Sequence, residues 1–176
     1  MHRNRFIVIL VFVFMWVCLA SIGDIQAQTG GESMIISSPE FKHNEPIPKK
    51  FTCQGQDINP ALKIENTPED TKSLALIVDD PDAPMGTWVH WAVFNIPVAS
   101  TIEEASIPGE QAMNNFGRKD YGGPCPPSGT HRYFFKVYAL DTDIESSSVK
   151  NKATLEKAMQ GHILGQAELI GLYKKY

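Results

Sequence analysis

Three runs of β-branched and aromatic residues, at positions 73–79, 87–95 and 131–139, constrain the fold of this 176-residue chain more than any other feature. Proline and glycine clusters bound each run. The helical crossovers that parallel strands need do not separate them, so the strands are expected to pair antiparallel. The one good helical period comes late, where Leu155, Ala158, Met159 and His162 recur at three- and four-residue steps. Thr154 is its candidate cap, Gly165 its stop, and residues 167–173 read as a last strand. The expected fold is mostly β, with one or two short peripheral helices.

Side chains two apart in a strand share a face. In the first run Leu74, Leu76, Val78 and Asp80 are in phase, so an apolar face ends in a carboxylate where Pro81-Asp-Ala-Pro84 forces a turn. The second run puts Trp88, His90, Ala92 and Phe94 in phase, and the third His131, Tyr133, Phe135 and Val137. A histidine tips the apolar face in both. If the three strands share a sheet, Asp80, His90, His131 and Tyr133 converge at its rim, with Trp88 as an apolar wall. The loop of residues 121–129 leads into the third strand, and its glycines let backbone N–H groups come close to a ligand. Each feature also has a plain reading: a turn, a histidine bonded to backbone, a connecting loop. Their coincidence at three strand ends is what points to a site.

The N-terminus reads as a secretory signal over residues 1–27: basic His2, Arg3 and Arg5, an apolar run from Phe6 to Ala20, and Ala27 before the cut. The run is short for a bilayer span. An uncleaved anchor is the other reading, because Ile25 fits the third position before the cut poorly. Residues 28–33 then form a short linker and 34–176 one domain, with no transmembrane segment after cleavage. The expected location is outside the cytoplasm, periplasmic or secreted. Losing Arg3, Arg5 and Asp24 takes the formal charge from −4 to −5, which argues against nucleic acid as a partner. With Cys18 in the leader, Cys53 and Cys125 remain, either as a disulfide or as two separate buried thiols.

The combination of Asp80-Pro-Asp-Ala-Pro84, Trp88-Val-His90, Gly122-Gly-Pro-Cys-Pro-Pro127 and Gly129-Thr-His-Arg-Tyr133 resembles the phosphatidylethanolamine-binding protein family, and looks closest to its short bacterial, Raf-kinase-inhibitor-like branch. Phe51-Thr-Cys-Gln-Gly55 and Gly161-His-Ile-Leu164 belong to the same likeness. The resemblance implies two packed antiparallel sheets and a small cavity for phosphate, acetate or a phosphorylated head group. It assigns the anion pocket to Asp80, His90, His131 and Tyr133, ringed by Pro84, Trp88 and the loop from Gly123 through Cys125 to Pro127. Asp82 and Arg132 are implied as a structural pair. Met85-Gly86-Thr87 stands where eukaryotic members carry a longer insertion.

A carboxylate in an anion site repels its ligand unless something offsets it. Asp80 does not bind the anion on this reading; it orients a histidine and favours the imidazolium. No cofactor, resident metal or catalysis is expected. Two rivals stand beside binding: a metal-dependent hydrolase using the same pocket, and a protein-binding module such as an inhibitor of an extracytoplasmic protease.

Overall fold

The computed structural model describes residues 33–99 and 101–175. The signal-peptide reading and nearly all of the linker lie outside them. The chain divides into two units, residues 1–30 and 31–176, and only the second contains described residues.

Among the described residues nine strands, one α-helix and two 3-10 turns follow in order: β1 (Ile35–Ser37), β2 (Glu45–Pro46), a turn at Lys49–Phe51, β3 (Leu62–Glu65), β4 (Ser73–Asp80), β5 (Trp88–Pro97), β6 (Thr101–Ile102), β7 (Glu110–Gln111), β8 (Thr130–Leu140), a turn at Ser146–Ser148, α1 (Lys152–Met159) and β9 (Ile163–Lys174). The large sheet runs β2-β9-β8-β4-β5-β7 and the small one β1-β3-β6. All pairings are antiparallel except that of β2 with β9.

β4 lies at the centre, which explains why all eight of its residues are buried. Leu74, Leu76 and Val78 face Ile36, Leu62, Ile64 and Ile102 of the small sheet across the main core. Ala75 and Ile77 face the other way, into a second core closed by Leu155 and Met159 of α1. Each fully buried Leu, Ile or Val contributes roughly 1.5–3 kcal/mol of transfer free energy. Asp79 shares that second face at 0% exposure. Its carboxylate accepts from Lys136 Nζ at 2.8 and 3.1 Å and from Lys152 Nζ at 2.6 Å, so a paired charge ties α1 to the sheet.

Three sequence expectations are corrected. The helix starts earlier than a Thr154 cap implies: Asn151 is the N-cap, accepting from Thr154 N, while Thr154 Oγ1 accepts from Asn151 N in a capping box. The helix ends before Gly161, whose φ of +81° suits glycine, and so Gly165 is not its stop. Gly165 pairs with Ala139 inside β9, which therefore begins at Ile163 rather than 167 because β8 offers a partner that far. His162 falls in the intervening turn, with its Nδ1 2.8 Å from Asp141 Oδ1.

The third correction concerns β5. Val78 pairs with Trp91 but Asp79 with Val89, so His90 is an extra residue in a β-bulge. A second irregularity lies between Leu74 and Leu76, opposite Asn95 with its φ of +52°. The simple alternation from Trp88 to Phe94 is thereby broken: Ala92 and Phe94 enter the helix-side core, while Trp91 and Val93 enter the main one.

Candidate functional site

Asp80 ends β4, and its two oxygens do different work. Oδ1 accepts the Asp82 N–H at 2.8 Å, closing the turn that follows. Oδ2 accepts from His131 Nδ1 at 2.7 Å, with both side chains almost wholly buried. Across that turn Asp82 makes a fork with Arg132: Oδ2 accepts from its backbone N and Nε, and Oδ1 from Nη2 at 2.6 Å. The Arg132 guanidinium holds the Asp82 carboxyl down to about 2. These bonds fix the start of β8 to the end of β4.

The bulge at His90 frees its backbone carbonyl from the ladder. Gly122 N–H donates to that carbonyl at 3.1 Å, and Asn114 Nδ2 donates at 3.3 Å. In return His90 Nδ1 lies 2.5 Å from Gly122 O. A carbonyl can only accept, so Nδ1 carries the proton and Nε2 is left as a lone pair when the ring is neutral. Burial pushes the His90 pKa below its ordinary value, against the opposing pull of Gly122 O and Asp80. The His90 ring stands edge-on to Tyr133 and to Phe116, at 5.1 and 5.4 Å between centroids.

Tyr133 is fully buried, and its hydroxyl is a buried side-chain polar atom with no hydrogen-bond partner among the described residues. Burial, then the nearby Asp80 carboxylate, raise its pKa, so the phenol keeps its proton. Two groups that act on that hydroxyl, Asp80 and the backbone of Cys125, belong to residues of a cavity wall.

That cavity has a volume of about 300 Å³ and is lined by Asp80, Ala83, Pro84, Met85, Trp88, His90, Phe116, Cys125 and Pro127. Of the residues singled out from sequence, Asp80, Pro84, Trp88, His90, Cys125 and Pro127 line it. His131 and Tyr133 are outside that lining, bonded to Asp80 and packed on His90 respectively. Gly123 is structural: its N–H donates to Asp57 Oδ1 at 2.6 Å, and a Cβ there would meet Phe51 O at 2.5 Å. Cys53 and Cys125 form a disulfide with 2.08 Å between sulfurs, joining that wall to the loop after Phe51. A larger groove of about 760 Å³ runs by Met113, Lys119, Lys150 and the start of α1, but Asp80 and His90 are not part of it.

Strand phase did not reach Phe116 and Met85. Phe116 is 40% exposed and Met85 96% exposed at the mouth. Phe116 is presented by a turn that Asn114 Oδ1 organises, accepting from Phe116 N and Arg118 N at 3.0 Å each. The Asn114-Asn-Phe-Gly117 run is a turn signal in the sequence, without any sign that it borders a pocket. No group of three or more His, Cys, Asp and Glu placed to hold a metal ion occurs among the described residues.

A two-sheet β-fold with a small, mixed polar and apolar cavity at its strand ends is a ligand-binding class of protein. The family model for phosphatidylethanolamine-binding protein matches residues 37–174, and the chain belongs to that family. A UPF0098 protein of Pyrococcus abyssi is 46% identical over 97% of this chain and 99% of its own length. A putative phosphatidylethanolamine-binding protein homolog from Chlamydia trachomatis has a solved structure with a TM-score of 0.79 and 42% identity, covering 82% of this chain and 99% of its own. YbcL of E. coli, described as a member of the mammalian family, gives 0.75 and 31% over the same shares. The relatives are thus archaeal as well as bacterial.

Proposed function

We propose that this is an exported binding protein whose pocket takes phosphate, a phosphorylated small molecule or a phospholipid head group, and that it does not catalyse a reaction. The observation that carries this reading is the cavity of about 300 Å³ at the strand ends, where the Asp80 carboxylate and the His90 ring meet an apolar wall of Pro84, Trp88 and Phe116. His131 is held by Asp80 and His90 by Gly122, so the rings are oriented before a ligand arrives. Export rests on the leader sequence at residues 1–27.

An anion favours the protonated form of a neighbouring imidazole, so binding takes up protons. Affinity for glycerol phosphate therefore falls as pH rises from about 6 to 8. Titration calorimetry across that range checks this, and a flat profile sinks it. Met85 and Phe116, apolar and exposed at the mouth, favour a second reading in which a protein outside the cytoplasm, such as a protease, contacts the occupied pocket. Capture from the extracellular fraction by wild type but not by His131→Ala would support it.

A further inference from the structure

The groove of about 760 Å³ beside α1 and the strand-end pocket share β5: Trp88 and His90 line the pocket, whereas Val89 lines the groove. The apolar part of the groove is Val89 and Val149, both buried, together with Met113, whose surface is 47% exposed. Its charged part is unbalanced. Lys152 is answered twice, by Asp79 at 2.6 Å and by Glu156, the one acid of the lining, at 3.5 Å. Lys119 and Lys150 make no ion pair or side-chain hydrogen bond among the described residues. Asp120, the acid next to Lys119 in the chain, is taken by Arg118 at 3.1 Å. Two exposed ammonium groups thus border an apolar trough in a chain whose formal charge is −4. Lys152 and Ala153, the first residues of α1, line the groove as well, and first-turn N–H groups have no partner inside their own helix.

This combination selects among occupants. A free anion gains little, because exposed cations are screened by solvent and salt. Burial of apolar surface on Met113, Val89 and Val149 has to contribute, so the occupant needs apolar side chains as well as acids. A nucleic acid offers charge without aliphatic side chains, and an acidic protein repels it. An extended peptide with interleaved acidic and apolar residues offers both, and its carbonyls can accept from the open N–H groups of α1. We propose that the groove docks an acidic, extended segment of a partner protein, its carboxylates pairing with Lys119 and Lys150 and an apolar side chain lying against Met113. This site is separate from the anion pocket and stands or falls without it.

Fluorescence anisotropy of the full chain with a labelled Glu-Leu-Glu-Glu-Leu-Glu peptide tests the idea, with Lys-Leu-Lys-Lys-Leu-Lys as the charge control. The acidic peptide should bind with a Kd below about 1 mM and at least about tenfold more tightly than the basic one, and added salt should weaken it. Lys119→Glu combined with Lys150→Glu should weaken it at least about fivefold, the loss of two exposed ion pairs taken together. Both lysines are exposed, so the circular dichroism of that variant should stay native. Met113→Ser should weaken it about threefold through lost apolar contact. Glycerol phosphate added at constant ionic strength should leave the peptide affinity unchanged. Absence of binding up to about 1 mM, equal affinity for the two peptides, or unchanged affinity in either variant overturns the docking site. Competition by glycerol phosphate also overturns it, because the peptide would then occupy the strand-end pocket.

Discussion

Replacing both Cys53 and Cys125 by serine should cost this protein a large part of its stability and little of its binding. The two residues are 72 apart in sequence, and their bond closes that loop in the unfolded chain. The chain-entropy relation gives about 4 kcal/mol for a loop of that length at 25 °C. For a domain of this size each kcal/mol moves Tm by about 2–4 °C, so the expected drop is on the order of 10 °C. The native loops have other ties: Cys53 N–H donates to Pro124 O at 3.2 Å, Gly123 N–H to Asp57 Oδ1, and Tyr121 Oη to Phe51 O at 3.0 Å. The cavity wall should thus keep its place in the serine variant. Guanidinium melts of the two proteins, read for midpoint and slope, measure the effect; the slope should rise because an uncrosslinked unfolded chain exposes more surface. A loss under about 1 kcal/mol would refute the loop-entropy argument. So would phosphate affinity falling in step with stability, since the bond would then be shaping the folded pocket.

Two further expectations concern buried charge. Because burial holds His90 below its ordinary pKa, the unfolded chain binds more protons there than the folded one, and stability is lost as pH drops below about 6.5; urea midpoints should show a smaller acid decline in His90→Gln, and equal declines would contradict this. Lys136→Met with Lys152→Met strands the Asp79 carboxylate in the core and should cost about 3–5 kcal/mol; adding Asp79→Leu should recover most of it, and purely additive losses in urea melts would refute the pairing.

Three of the four long strands were legible because β4, β5 and β8 are each buried along at least one face, which forces β-branched and aromatic residues into the sequence. The short strands were not: β2, β6 and β7 have two residues apiece, fewer than any periodicity needs. Ideal alternation put Trp88, His90, Ala92 and Phe94 on one face, and it failed at the bulge, since a bulge is a property of the pairing and leaves no mark in the strand itself. Asp80 and His131 were placed correctly relative to each other for the converse reason. β4 pairs with β8 without a shift, and Arg132, one residue along, does lie on the face away from His131. What phase could not supply was depth. It brought four residues to one rim, whereas the fold places Asp80 and His90 on the cavity surface and His131 and Tyr133 outside its lining.

The extra residue in β5 has a consequence for how this molecule can change. His90 owes its position to Gly122 and Asn114, both in the segment leading to the third strand, and owes nothing to a rung of the ladder. Exchanging the side chain at that place leaves every strand pairing as it was. Deleting the residue would restore a regular register from Val78 to Asp80 and leave Val89 opposite Asp79 and Trp88 opposite Asp80, on the faces they already occupy. The bulge is thus a socket: the tool in it is interchangeable, and the ladder on either side does not depend on it.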